Sequence, residues 1–235
     1  MKVLIAAPLR QDVRIFREYQ KALDALKIPE GVTVDRFFVI NDCPEVITEI
    51  RGADYYVLNT GDVYEKTDKD HLWTRDNLSK MHTLRNLCCR YAEGGGYDYL
   101  FSVDTDLILH PDTLTELLLT GKDIVSELFW TNGWCNAWEY DQSSGMDKAW
   151  VRPGLYQVGM TGACILISRR VLEAGVDYSP IPNIRKALWG EDRHFCIRAA
   201  CAGFTIWTDS HCPPEHLYTE RAYQNFMARR AEDAE

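Results

Sequence analysis

The stretch Tyr97-Asp98-Tyr99-Leu100-Phe101-Ser102-Val103-Asp104-Thr105-Asp106, continued by Leu107-Ile108-Leu109-His110-Pro111, decides how the chain folds. Leu100, Phe101 and Val103 read as a short buried strand, and the chain then delivers two carboxylates, Asp104 and Asp106, at its C-terminal end. Ligands of open α/β sheets gather at that end of the strands. Two carboxylates at i and i+2, with a small residue between them, can hold a hard divalent cation and leave positions open for a ligand's oxygens. An acidic surface turn is the ordinary alternative. Here apolar Leu107-Ile108-Leu109 follows directly, so the pair lies inside a hydrophobic stretch.

Outward from this strand the pattern alternates. Residues 2–7 read as a buried first strand, with Pro8 to Asp12 as the loop after it. Ile15, Tyr19, Ala22, Leu23 and Leu26 recur at helical spacing, predicting a helix over 14–26. Strands are expected over 32–40 and 53–58, and a helix over 78–92 with Met81, Leu84, Leu87, Cys88 and Tyr91 on one face. Gly94-Gly95-Gly96 ends that helix, and another helix follows Pro111 over 112–119. Beyond residue 120 the order is less regular. Strands are expected over 124–129, 156–160, 163–168 and 204–207, and a helix over 191–202. Trp130 to Trp150 reads as a polar, Gly- and aromatic-rich loop, long enough for a lid or a binding loop, and Ala231–Glu235 as a frayed tail. Alternation of this kind predicts an α/β fold with a mixed, mostly parallel sheet flanked by helices. With no repeat or linker in sight, 1–235 reads as one domain, with a first half over 1–110, a second over 111–220 and a tail over 221–235.

A length of 235 residues, 46% of them hydrophobic and 26% charged, suits a globular domain with an ample core. Lys plus Arg number 26 against 35 Asp plus Glu, a net charge of −9, which argues against a nucleic-acid groove. A phosphorylated substrate would then need a metal ion or a local arginine cluster. No stretch approaches the roughly 20 apolar residues that span a bilayer. The eight cysteines show no CxxC pair, and Cys88, Cys164, Cys196 and Cys201 fall in expected core elements. That pattern points to a reducing, cytoplasmic setting without a disulfide framework. His194, Cys196, Cys201, His211 and Cys212 fit no common zinc spacing.

Two further constellations carry chemistry. Trp189-Gly190-Glu191-Asp192 opens the 191–202 helix, placing two carboxylates in its first turn, where the helix dipole favours their charge and a low pKa is expected for Asp192. Thr208 to Leu217 forms a polar turn bearing His211 and His216, stiffened by Pro213-Pro214. Trp130, Trp134, Trp138, Trp150 and Trp189 are candidates to stack on sugar faces.

Together these elements resemble the GT-A class of nucleotide-sugar glycosyltransferases, nearest to its family two-like group, over residues 2 to about 217. Pro8-Leu9-Arg10 is similar to that class's donor-binding loop, and Val39-Ile40-Asn41-Asp42 to the strand end where a carboxylate meets the base. Arg85-Asn86 matches the helix before the metal strand, and Asp104-Thr105-Asp106 the Asp-x-Asp signature. Gly162-Ala163-Cys164-Ile165-Leu166-Ile167 is similar to the Gly-led strand beneath the sugar pocket, Gly190-Glu191-Asp192 to the Glu-Asp motif, and Glu215-His216-Leu217 to a terminal histidine. The resemblance implies a hexosyltransferase using a UDP-sugar, or else a GDP-sugar. Pro8, Arg10, Asp42, Arg85, Asp104, Gly162 and Trp189 would bind the donor. Asp106, with Asp104 acting directly or through the ribose, would hold Mn²⁺ or Mg²⁺ against the diphosphate. His216 would complete the metal shell, with His211 as its rival. Asp192 would be the general base of an inverting reaction, or would position the acceptor in a retaining one, and Glu191 would bind hydroxyls. The acceptor would be a carbohydrate, a lipid-linked chain or a protein.

Other enzyme classes fit less well. A haloacid-dehalogenase-type phosphatase places its Asp pair near the N-terminus, a nucleotidyltransferase needs a Gly-rich first loop, and a Rossmann dehydrogenase needs GxGxxG. A non-catalytic sugar- or nucleotide-binding module of the same fold would have no need of both acidic pairs.

Overall fold

A computed structural model of the chain describes residues 1–61, 75–131, 133–139, 152–185 and 188–232. Trp150, and with it the end of the expected aromatic loop, lies outside them. The first half comprises β1 (Lys2–Leu9), α1 (Val13–Asp24), β2 (Thr33–Asn41), a 3-10 turn (Pro44–Glu49), β3 (Asp54–Leu58), α2 (Arg75–Gly94), β4 (Tyr99–Ser102), β5 (Leu107–Ile108) and α3 (Thr113–Leu119). Next come β6 (Ile124–Glu127), β7 (Trp130–Thr131), β8 (Trp134–Cys135), β9 (Ala137–Trp138), β10 (Leu155–Val158), β11 (Met160–Thr161), β12 (Ile165–Ser168) and α4 (Arg169–Glu173). The chain closes with α5 (Glu191–Cys201), β13 (Ile206–Asp209), β14 (Glu215–His216) and α6 (Glu220–Glu232).

The main sheet has eight strands in the order β10-β13-β6-β12-β4-β1-β2-β3. Strands β1, β2, β3, β4, β6 and β13 run one way, and β10 and β12 the other. This is the mixed, mostly parallel α/β sheet expected from the alternation. Its central strand shows why. In β1, Leu4 and Ala6 pack on one face against Leu84 and Cys88 of α2, with Phe195 and Ala199 of α5 in the same layer. On the other face Ile5, Ala7 and Leu9 meet Phe16, Tyr19 and Leu23 of α1 and Leu114 and Leu117 of α3. A strand covered on both faces needs apolar residues at every position, which is the run Val3-Leu4-Ile5-Ala6-Ala7. Helix α1 starts where the Asp12 carboxylate accepts the amide of Arg14 at 2.7 Å. It buries Phe16 edge-on to Phe38 at a centroid distance of 5.5 Å. Each such side chain removed from water contributes roughly 1.5–3 kcal/mol.

Several sequence expectations are corrected. Pro8 belongs to β1 rather than to the loop after it. Strand β2 pairs with β1 through Leu9, whereas β4 pairs only with Val3–Ala6, so Pro8 sits where one edge of β1 has no neighbour and its missing N–H is tolerated. Strand β12 starts at Ile165, not Ala163, because Ala163 and Cys164 turn through positive φ (51° and 38°). Strand β13 reaches Asp209: the expected turn residues Thr208 and Asp209 extend the strand and pair with Ser126 and Glu127 of β6. Cys201 is exposed rather than in the core. The C-terminal tail is a helix to Glu232, whose Phe226 packs with Ile15 and Leu217.

Candidate active site

The segments that follow the C-terminal ends of β4 and β6 line a cavity of about 540 Å³, within the size range of small-molecule sites. Asp104, Asp106, Gly162, Ala163, Asp192 and His216 line it together with Phe129, Thr131, Trp134, Cys135, Asn136, Trp138 and Tyr218. The geometry therefore gathers into one cavity three groups that are far apart in sequence: the acidic pair, the helix-start aspartate and the C-terminal histidine.

The histidine arrives by strand pairing. Two-residue β14 lies antiparallel to β5, with His216 opposite Leu107, and the amide of Leu217 donates to the carbonyl of Asp106 at 2.8 Å. This sets His216 Nε2 3.4 Å from Asp106 Oδ2. The other ring nitrogen, Nδ1, is 2.8 Å from the Thr131 hydroxyl, which fixes the ring's orientation. His211 is elsewhere engaged: its Nδ1 lies 2.9 Å from Asp209 Oδ2.

Asp104 turns the other way, toward Arg85. That guanidinium, only 3% exposed, lies 3.1 Å from Asp104, 3.5 Å from Glu191 and 3.7 Å from Asp192, and donates to the Ser102 hydroxyl at 3.4 Å. Burial opposes its charge, but the surrounding carboxylates outweigh that effect and hold its pKa well above the ordinary value. One buried cation thus ties Asp104 to the first turn of α5.

Asp192 departs from the low pKa expected for a carboxylate at a helix start. Burial pushes it up to about 7, against the pull of Arg85 and reinforced by Glu191 and Asp104. Desolvation outweighs the helix dipole here because the carboxylate rests directly on the backbone at Gly162. A Cβ at that glycine would stand 2.1 Å from Asp192 Oδ2, so only glycine leaves room for it. Burial, opposed by Arg85 and helped by Asp106 and Glu191, also raises the pKa of Asp104.

The remaining residues expected to bind the donor do not line this cavity. Asp42, at a positive φ of 48°, accepts the amides of Thr60 and Gly61 at 2.8 and 3.0 Å. Arg10 lies 3.9 Å from it, and Pro8 is half-buried at the end of β1. Trp189 is half-buried just before α5, and its carbonyl accepts from Arg193 at 3.0 Å.

Asn136 escaped the sequence reading although it organises the aromatic wall. Its side-chain oxygen accepts the Phe129 amide at 2.9 Å, and its nitrogen donates to the carbonyls of Glu127 (3.0 Å) and Gly162 (2.9 Å). No local pattern marks it, because all its partners are backbone groups brought near by the fold.

Asp106 and His216 form an open pair. Among the described residues no group of three or more His, Cys, Asp or Glu converges as a metal cage. A carboxylate and an imidazole lining the same cavity are a donor pair that could hold Mn²⁺ or Mg²⁺.

No protein-family model and no curated relative matches the sequence. Solved structures do match, at the level of fold, and their class is GT-A-type glycosyltransferase. The mannosyltransferase PcManGT of Pyrobaculum calidifontis, in complex with GDP-Man and Mn²⁺, is similar over 97% of this chain and 60% of its own, with 14% identity and a TM-score of 0.59. TarS 1–349 of S. aureus in complex with UDP covers 91% of this chain and 59% of its own, with 13% identity and a TM-score of 0.58. The catalytic domain of Drosophila β1,4-galactosyltransferase 7, in complex with xylobiose, covers 89% and 65%, with 16% identity and a TM-score of 0.50. The chain has the GT-A fold and spans about three fifths of PcManGT and of the TarS 1–349 fragment, and 36% of the longer TarS chain. Among the described residues no helix is long and apolar enough to cross a membrane.

Proposed function

We propose that this chain is a metal-dependent glycosyltransferase that moves a hexose from a nucleotide-diphosphate sugar to an acceptor hydroxyl in a cytoplasmic setting. The observation that carries this reading is the placement of the Asp106–His216 pair in the same cavity as Asp192. Neighbours of the same fold, solved with UDP-GlcNAc and with GDP-Man and Mn²⁺, support a nucleotide-sugar donor; the preference for a UDP-sugar over a GDP-sugar rests on the sequence resemblance alone.

Asp106 and His216 would hold the divalent cation, with Asp104 one step removed because Arg85 already engages it. Bound there, the ion supplies the positive charge that a leaving nucleoside diphosphate requires. The first half of the chain, with Pro8, Arg10 and Asp42 along the strand ends, would face the nucleotide, and Gly162 and Trp189 the transferred sugar. Arg85 enters as an internal brace for the acidic groups around it. Asp192 is the general base of an inverting transfer: it takes the proton of the acceptor hydroxyl as the oxygen attacks the anomeric carbon. A pKa near 7 suits that task, since the group is half-ionised at neutral pH and yet basic enough to accept the proton. Glu191, 7% exposed and 3.5 Å from Arg85, fixes the first turn of α5.

The test is turnover of nucleotide-sugar against pH. In the native protein the rate should rise as Asp192 ionises and level off above pH about 7. Asp192→Asn should still bind donor but lose roughly 10²–10⁴-fold in rate, together with that limb. Native turnover in Asp192→Asn would remove Asp192 as the base.

A further inference from the structure

The cavity that holds the carboxylates is also lined by aromatic side chains, and one of them is exposed to an unusual degree. Trp134 lines the cavity and is nevertheless 70% exposed, and Trp130 on the same hairpin is 40% exposed. The other aromatic groups nearby already have companions. The Arg193 guanidinium lies 5.0 Å over the Trp138 ring, and Phe129 stands edge-on to His216 at 5.1 Å. A large indole left open at the mouth of a cavity calls for a ligand, because burying its apolar surface is favourable.

The platform is also held rigidly. Strands β7 and β8 pair Trp130 with Cys135 and Thr131 with Trp134. Thr131 is tied to His216, and next to Cys135 the Asn136 side chain staples the segment to Phe129, Glu127 and Gly162. The same backbone that supports Asp192 therefore also fixes the base of the hairpin. Such preorganisation reduces what binding must expend on ordering side chains.

From this placement we infer that the acceptor is a neutral saccharide chain: one pyranose lies beside Asp192 and the chain leaves the cavity across the face of Trp134. The inference rests on the transferase reading and names its acceptor. A pyranose ring presents C–H groups on its faces and hydroxyls on its rim, which matches an indole face beside hydrogen-bonding carboxylates. The hairpin Trp130-Thr131-Asn132-Gly133-Trp134-Cys135 carries no charge, so it offers nothing to a phosphorylated headgroup or an acidic peptide.

The experiment titrates the full chain with cellotetraose, chitotetraose and mannotetraose by calorimetry, with Trp134→Ala and Trp134→Phe alongside. Because Trp134 is exposed, both variants should fold. At least one tetrasaccharide should bind the native chain. Trp134→Ala should weaken it about tenfold or more, equivalent to about 1.4 kcal/mol, while Trp134→Phe retains most of the affinity. Metal-dependent binding of nucleotide-sugar, measured on the same samples, should be equal in all three. Binding of no tetrasaccharide, or equal binding by Trp134→Ala, overturns the inference. So does a tryptophan emission shift with phosphatidylglycerol vesicles in place of sugars, which would make the hairpin a membrane contact. Absence of nucleotide-sugar binding by the native chain would overturn the transferase reading instead, and the saccharide titration would still decide the platform.

Discussion

Two parts of the site are built differently: Arg85 lies 3% exposed among Asp104, Glu191 and Asp192, whereas Trp134, in the cavity lining, stands 70% exposed on a short hairpin. The charged side is built inward. Acidic groups gathered out of water repel one another, and only a buried cation lets them share a site. The aromatic side is built outward: its side chains need no compensation, and the backbone beneath them is secured by one asparagine. The contrast shows where each side is vulnerable. Changes on the charged side propagate through stability and geometry, whereas changes on the aromatic side alter binding and little else.

The largest stability effect should come from Arg85. Replacing it with Met, of similar length and no charge, leaves three carboxylates without their partner and should cost about 3–5 kcal/mol in a denaturant titration. The sign of the pH dependence is fixed. Without Arg85 the folded-state pKa values of Asp104 and Asp192 rise further above their unfolded values, so the stability they contribute is retained at low pH and lost as pH rises. The deficit should therefore be smaller at pH 5 than at pH 8. An Arg85→Met protein as stable as the native one at pH 8 would mean that the charged side is not braced by this cation.

A smaller effect, confined to chemistry, is expected at Gly162. A Cβ there meets the Asp192 carboxylate at 2.1 Å, so Gly162→Ala must displace the base. A displacement of the order of 1 Å should lower turnover per bound donor by roughly 10², over and above any loss of donor affinity from the transferred-sugar contact at Gly162. Loss of donor binding with intact turnover per bound donor would instead place Gly162 on the donor side only. Beside these two, Trp134→Ala should be the mildest for the fold, since its side chain buries little.

Much of the charged side was legible in the sequence, and the reason is physical. Strand β1, strand β4 and the acidic pair announce themselves because a central parallel strand must be apolar along its whole length, and carboxylates after it have few other uses. The pairing of His216 with Asp106 was suggested only by resemblance. Its cause is the two-residue β14–β5 ladder, too short to leave a periodic signal. Arg85 and Glu191 are 106 residues apart, so no local window reveals that the arginine lies among three carboxylates. The pKa of Asp192 was misjudged for the same reason. The helix start is visible in the sequence, but the backbone that desolvates the carboxylate is not. Helix α6 was missed because Phe226 is its one buried residue, helped only by partly buried Tyr223, and the docking partners Ile15 and Leu217 lie in distant elements. The aromatic loop was recognised by composition, yet its short strands and Asn136 staple depend on backbone groups that carry no sequence signature.

The most direct test of the account is calorimetric titration of UDP-GlcNAc and GDP-mannose into the native chain and into Asp106→Ala, each with and without Mn²⁺. The account predicts that one donor binds the native chain only with the metal present, and that Asp106→Ala remains folded but loses this binding. Metal-independent binding, or metal-dependent binding that survives in Asp106→Ala, would contradict it.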